Sequence, residues 1–163
     1  MVNTTLMLAR SRLACGGAAI LALLSGSLAF PAAAEPDLAV HDAWARAPSV
    51  PGRNGAAYMT LVNDGATERR LVGVAAAASE RAELHRSVMD DGVMKMIPKD
   101  AIAVPACGRT ALEPGGFHVM LIGATESVKA GATIPLTLRF ADGTTRRVTA
   151  DVVGPGQTPD MAE

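Results

Sequence analysis

Cysteine is scarce in this sequence of 163 residues, which contains only Cys15 and Cys107. Cys15 lies in an N-terminal segment that we expect to be removed, so the mature protein keeps one thiol and cannot form an internal disulfide. Stability must therefore come from a hydrophobic core, which a mature chain of about 129 residues is long enough to build.

The first 34 residues contain no acidic side chain, and their pattern is typical of a secretory signal peptide. Two arginines lie near the start, an apolar run follows, and PAAA ends the segment as a small-residue cleavage site. We expect residues 1–34 to be cleaved and residues 35–163 to form one periplasmic domain with short flexible tails. A retained membrane anchor is the alternative, because the apolar run is nearly long enough to span a bilayer. A lipid anchor is not expected, since Cys15 precedes most of that run, whereas a lipid-modified cysteine follows it.

The sequence also lacks an excess of positive charge. Loss of the leader with its two arginines leaves 13 of the 15 basic residues beside all 16 acidic ones, a formal net charge of −3. This balance argues against a nucleic-acid partner and against a polybasic surface that would bind a membrane.

Helical periodicity is absent from the mature chain, apart from residues 75–84, which have the composition for one helical turn. Short runs rich in Val, Thr, Ile and Leu alternate instead with Gly, Pro, Asn and Asp every 8 to 12 residues or so. This pattern predicts an all-β, immunoglobulin-like antiparallel β-sandwich. The ten predicted strands are 38–47, 56–63, 69–76, 81–88, 93–98, 101–104, 110–114, 117–123, 133–140 and 145–153.

Four turn sequences contain the residues that tolerate positive φ, which tight hairpins require. We predict a hairpin turn at each of them. They are Asn63-Asp64-Gly65, Asp90-Asp91-Gly92, Pro114-Gly115-Gly116 and Asp142-Gly143.

Histidine and methionine cluster in the middle of the chain. Met94 and Met96 are two residues apart on a predicted strand, so they share a face, and His118 and Met120 do the same on another strand. His85 begins the stretch HRSVMDDGVMKM, which contains three methionines around a turn. Packing is the simpler interpretation, because methionine fills irregular gaps in cores.

The alternative interpretation is a metal site. Imidazole nitrogen and thioether sulfur, without carboxylate or thiolate, suit the soft ion Cu(I), whereas calcium and magnesium need oxygen ligands and zinc usually takes cysteine, histidine or carboxylate. Methionine forms no disulfide, so such a site keeps its ligands in an oxidising compartment.

The spacing of His85, Met96, His118 and Met120 fits the pattern H-x10-M-x21-H-x-M. In this pattern, and in its settings GAAYMTLVN, DDGVMKM and PGGFHVMLIG, the chain resembles the PCuAC family of periplasmic copper chaperones over roughly residues 38–152. The resemblance implies a cupredoxin-like β-sandwich in which these four residues bind Cu(I). Many members have methionine after the first motif histidine, where this chain has Arg86, which we expect to point to the other face or to solvent.

The resemblance also implies a function and partners. The family delivers copper to the CuA centre of cytochrome c oxidase, so the expected acceptor is subunit II of the oxidase, with a Sco-type protein as a second possible partner. We expect a monomer that catalyses no reaction, because no bond in a substrate changes. Periplasmic copper buffering or resistance is the main alternative.

Other residues and other functions fit this pattern less well. We expect Met94 to pack rather than bind metal, Met89 to pack rather than cover the metal, and Met59 to lie in the core. We expect His41 to be exposed or structural, and Cys107 to be an incidental thiol rather than one that forms an intermolecular or mixed disulfide. A cupredoxin-like electron carrier requires a cysteine close to the histidine ligand, which Cys107 is not. A copper oxidase would need more imidazole, and an adhesive sandwich would bind no copper.

Overall fold

The computed structural model describes residues 37–159, which form ten β-strands and no helix. All ten predicted segments are strands, with ends shifted by at most two residues. The helical turn predicted within 75–84 is wrong, because β4 begins at Ser79 after a short turn. The strands are β1 (Leu38–Arg46), β2 (Gly55–Asn63), β3 (Arg69–Ala76), β4 (Ser79–Asp90), β5 (Val93–Pro98), β6 (Ile102–Val104), β7 (Gly108–Leu112), β8 (Phe117–Ala124), β9 (Thr133–Phe140) and β10 (Thr145–Val153).

The strands form one continuous hydrogen-bonded sheet in the order β5-β4-β8-β7-β2-β1-β10-β9-β3-β6. The sheet folds over on itself, so that buried residues from both of its halves share one core. The predicted all-β sandwich is confirmed, with a cupredoxin- or immunoglobulin-like architecture. Two pairings are parallel rather than antiparallel, β1 with β10 and β7 with β8.

The core follows from the two-residue period of the strands. In β9, Ile134, Leu136, Leu138 and Phe140 are all buried, while Thr133, Pro135 and Arg139 are exposed. Each fully buried aliphatic side chain contributes roughly 1.5 to 3 kcal/mol. The predicted core position of Met59 is confirmed, since it is buried in this cluster.

Two of the four predicted hairpins are present and two are not. The turns at Asp91-Gly92, between β4 and β5, and at Gly143, between β9 and β10, have positive φ as predicted. The link 114–116 is not a hairpin turn, because β7 and β8 both run antiparallel to β2 and therefore in the same direction along its edge. The turn after Asn63 is not a hairpin turn either, since the strands that it connects, β2 and β3, are not neighbours in the sheet.

The two ends of the chain lie outside the description, and so does the predicted signal peptide. Immediately after β10, the Gln157 side chain accepts a hydrogen bond from the Gly154 backbone, and the Gln157 carbonyl accepts one from Arg46 Nε. Between residues 37 and 159 there is no helix with the length and hydropathy needed to cross a membrane.

Candidate metal centre

The predicted site residues lie on the face of the sheet that points away from the core. Along β4 and β8, Leu84 and Val119 point into the core, so their neighbours His85 and His118 lie on the opposite face. His85 is directly opposite His118 in the ladder, and Met120 is two residues further along β8. On the edge strand β5, Met96 is opposite Ser87, which places it on the same face.

This face contains a cleft of about 350 Å³ near the start of β2. Met96, His118 and Met120 line it together, so strands that are distant in sequence bring three of the four predicted residues to one opening. The fourth, His85, does not line the cleft. It is 7% exposed and packs beside His118, with 5.9 Å between the ring centroids.

The His118 ring is held by the link that precedes β8. Its Nδ1 lies 3.2 Å from the Gly116 carbonyl, which can only accept a hydrogen bond, so Nδ1 carries the proton and Nε2 keeps its lone pair. Burial lowers the pKa of His118 below the ordinary imidazole value, although the bond to Gly116 partly opposes this. The neutral ring is therefore the favoured form, and neutral imidazole is the form that binds metal.

His85 makes a different set of contacts. Its Nε2 lies 3.1 Å from Glu83 Oε2, and the other carboxylate oxygen of Glu83 pairs with Arg81 Nε at 3.0 Å. The hydrogen bond from His85, together with the Arg81 charge, lowers the pKa of Glu83, so the carboxylate is ionised at neutral pH. His85 Nδ1 is buried and has no hydrogen-bond partner among the described residues.

Arg46 and Tyr58, which the sequence did not single out, line the cleft, and Trp44 packs against Tyr58. The rings of Trp44 and Tyr58 lie 4.3 Å apart, and the Arg46 guanidinium lies 5.3 Å and 5.5 Å from their centroids. Burial raises the pKa of Tyr58, and the Arg46 charge partly opposes this. Two-residue alternation was the sequence signal that could have placed Trp44 and Arg46 on one face of β1. Their partners in β2 are Tyr58 and Ala56.

Of the other His, Met, Arg and Cys residues that the sequence singles out, Met94 lines the cleft and the rest do not. Met94 lines the cleft beside Met96, whereas Met89 is exposed on the hairpin and does not. Arg86 lies over the Phe117 ring on the other face, as expected. Cys107 is an exposed free thiol in the turn before β7, near the far end of β2. His41 is exposed next to an irregularity in β1.

The donor chemistry of this face favours a soft ion. It offers thioether sulfur from Met96 and Met120 and imidazole nitrogen from His85 and His118, with Nδ1 of His85 buried and unpaired. Across residues 37–159 no group of three or more His, Cys, Asp or Glu side chains is placed to hold a metal. The described residues therefore offer thioether and imidazole ligands, and no oxygen- or thiolate-rich site of the kind calcium or structural zinc prefers.

These observations define the class of protein. It is a β-sandwich with a cleft on its outer face that is lined by methionine and histidine. Residues 38–152 match a family model described as "Putative lipoprotein LpqE-like", and the chain belongs to this LpqE-like family. A curated relative, "Putative lipoprotein Lxx21020" of Leifsonia xyli subsp. xyli, is 31% identical over 159 residues, which cover 93% of each chain.

Solved structures with the same fold include a PCuAC domain and the protein DR1885. One is a copper-bound PCuAC domain from PmoF2, with a TM-score of 0.62 and 27% identity over 73% of this chain and 94% of that domain. Another is CuI-DR1885 from Deinococcus radiodurans in solution, with a TM-score of 0.51 and 35% identity over 79% of this chain and 83% of the other. The chain thus has a PCuAC-like fold, and its structural neighbours include copper-binding domains.

Proposed function

We propose that this protein is a periplasmic Cu(I) metallochaperone that holds its ion with His85, Met96, His118 and Met120. The observation that carries the proposal is the convergence of Met96, His118 and Met120 on one cleft, with His85 packed against His118. Two structural neighbours described as copper-bound and CuI forms support it. An anaerobic titration against a chromophoric chelator tests it, with one equivalent of Cu(I) withdrawn as the expected result.

The positions of the ligands suit transfer rather than storage. Met96 is 55% exposed on the edge strand, whereas His118 is 4% exposed, so the site has an accessible thioether and a buried imidazole. Thioethers bind Cu(I) less strongly than thiolates do, so the ion passes downhill to a cysteine-containing acceptor. Incoming thiolates replace the exposed thioether of Met96 first, and the buried histidines release the ion last. No covalent bond in a substrate changes, and the protein is therefore not an enzyme.

The acceptor that we propose is the CuA centre in subunit II of cytochrome c oxidase, with a Sco-type protein as an additional partner. The protein acts as a monomer free of the membrane after its signal peptide is removed. The test is to mix the Cu(I)-loaded protein with the metal-free soluble domain of subunit II under anaerobic conditions. The two proteins are then separated and copper is measured in each. Transfer supports delivery, whereas copper that stays on the donor supports buffering instead.

A blue-copper electron carrier is not supported by the position of the single described thiol. Cys107 lies in the turn beside Gly108, which pairs with Asn63 at one end of β2, while Val119 pairs with Ala57 near the other. Six residues of strand separate the two positions, or about 20 Å. Cys107 and His118 therefore cannot bind one metal ion together.

Acidification is expected to weaken Cu(I) binding. Protons compete with the metal for imidazole nitrogen but not for thioether sulfur, so the affinity falls by up to about tenfold per pH unit for each titrating histidine. Because burial lowers the pKa of His118, its share of this loss begins below the ordinary imidazole value of about 6.5. Chelator competition at several pH values between about 7 and 5 measures the effect. A constant affinity over this range would contradict imidazole ligation.

A further inference from the structure

The two histidines of the site are held through different ring nitrogens. His118 donates from Nδ1 to the Gly116 carbonyl, which leaves Nε2 as the nitrogen with a free lone pair. His85 contacts the Glu83 carboxylate through Nε2, which leaves Nδ1 buried and without a partner in the described part of the chain. The two rings therefore offer opposite nitrogens on the same face of the sheet.

The Glu83 carboxylate determines which nitrogen of His85 is free. An ionised carboxylate can only accept a hydrogen bond, so His85 Nε2 must carry a proton, and in the neutral ring Nδ1 then has the lone pair. The second oxygen of the carboxylate pairs with Arg81 Nε, so both oxygens of Glu83 have a partner. Glu83 is also opposite Met120 in the ladder between β4 and β8, so it belongs to the same row of residues as the proposed ligands.

A buried nitrogen without a partner is unfavourable in a folded protein unless something binds to it. Neither Gly116 nor Glu83 reaches His85 Nδ1, and the neighbouring His118 ring packs against His85 without a hydrogen bond between them. A metal ion at this side of the ring would satisfy Nδ1 and leave the Nε2 bond to Glu83 intact. Metal-binding histidines commonly donate their other ring nitrogen to a carboxylate in this way.

We propose that Glu83 is a positioning residue that fixes the tautomer and ring orientation of His85, so that His85 binds Cu(I) through Nδ1 while His118 binds it through Nε2. This inference rests on the proposed copper-binding function. Glu83 does not touch the ion. It holds the buried imidazole in the orientation that binding requires, so the His85 side chain loses less conformational freedom when the metal binds.

Nitrogen-15 NMR of the histidine rings tests the assignment, first without metal and then with Ag(I) as a diamagnetic substitute for Cu(I). Without metal, His85 is expected to show a protonated Nε2 and an unprotonated Nδ1, and His118 the reverse. On addition of Ag(I), the signals of His85 Nδ1 and His118 Nε2 are expected to shift. A shift of His85 Nε2 in place of Nδ1 would overturn the proposal.

Two substitutions of Glu83 separate its hydrogen bond from its charge. Glu83→Gln keeps an oxygen that accepts from His85 Nε2, so its Cu(I) affinity is expected to stay within about threefold of wild type. Glu83→Leu removes the acceptor, and its affinity is expected to fall by about 10- to 100-fold, the usual effect of losing such an outer partner. Thermal unfolding of both metal-free variants shows whether each is folded.

The outcomes distinguish this inference from the proposed function. If wild type binds one Cu(I) and Glu83→Leu binds it equally well, the positioning role is wrong and the copper function stands. If wild type binds neither Cu(I) nor Ag(I) while the Nε2 proton of His85 remains bonded to Glu83, the copper function is wrong and the pair is only structural.

Discussion

Replacing Met120 by leucine is expected to lower the Cu(I) affinity at least about a hundredfold, and Met96→Leu is expected to have a comparable effect. Leucine keeps nearly the same apolar volume, so the sandwich should remain intact while the thioether ligand is lost. Loss of a direct ligand should exceed the roughly 10- to 100-fold effect of losing an outer partner. Anaerobic competition against a chromophoric Cu(I) chelator measures the change.

Two other methionines provide matched controls for these variants. Met59 is buried in the core, and Met89 is exposed on the β4–β5 hairpin without lining the cleft. Met59→Leu and Met89→Leu therefore remove the same sulfur atom elsewhere and are expected to bind Cu(I) as wild type does. If all four variants retain wild-type affinity, the methionines of the cleft are packing residues and the proposed ligand set is wrong.

The second large effect is expected at Asn63, which is fully buried at the far end of β2. Its side-chain amide donates to the carbonyls of Thr67, Val104 and Pro105, and its oxygen accepts from the Gly65 backbone. Asn63→Ala leaves these groups without their partner, and the free energy of unfolding is expected to fall by about 2 to 4 kcal/mol. Chemical denaturation of the metal-free protein measures the loss.

Asn63→Asp separates the contribution of the amide hydrogens, which donate, from that of the side-chain oxygen, which accepts. Aspartate keeps an oxygen that can accept from Gly65 but has no hydrogen to donate to the three carbonyls, so it should destabilise the protein about as much as alanine. The cleft lies at the other end of β2, and the folded fraction of either variant should bind Cu(I) normally. A loss below about 0.5 kcal/mol, the range of an ordinary surface substitution, would contradict this account of Asn63.

The sequence predicted the strands well because a strand is a local pattern. Two-residue alternation and turn residues located all ten strands, and the positive φ at Asp91, Gly92 and Gly143 matches two of the predicted hairpins. The failures involve long-range pairing. The segment Asn63-Asp64-Gly65 has the composition of a hairpin turn, but the Asn63 side chain instead donates a hydrogen bond to the carbonyl of Val104 at the end of β6. The link after β7 continues along β2 because β2 is long enough to pair with both β7 and β8.

The site was predictable to a similar extent. Spacing and alternation indicated that His118 and Met120 share a face, and that Met96 lies on one face of its strand. They could not show that His85 is buried and does not line the cleft, because burial depends on the neighbouring strands. Residues distant in sequence, such as Arg46 and Tyr58, were missed for the same reason, since only the pairing of β1, β2 and β8 brings them to the cleft.

X-ray absorption spectroscopy of the anaerobically loaded Cu(I) protein tests the central claim most directly. The variant Cys107→Ser should be used, so that any sulfur bound to copper comes from methionine. The account predicts a copper shell that contains both nitrogen and sulfur, two atoms of each. A shell without sulfur, or a protein that retains no copper, would contradict the claim that His85, Met96, His118 and Met120 form a Cu(I) site.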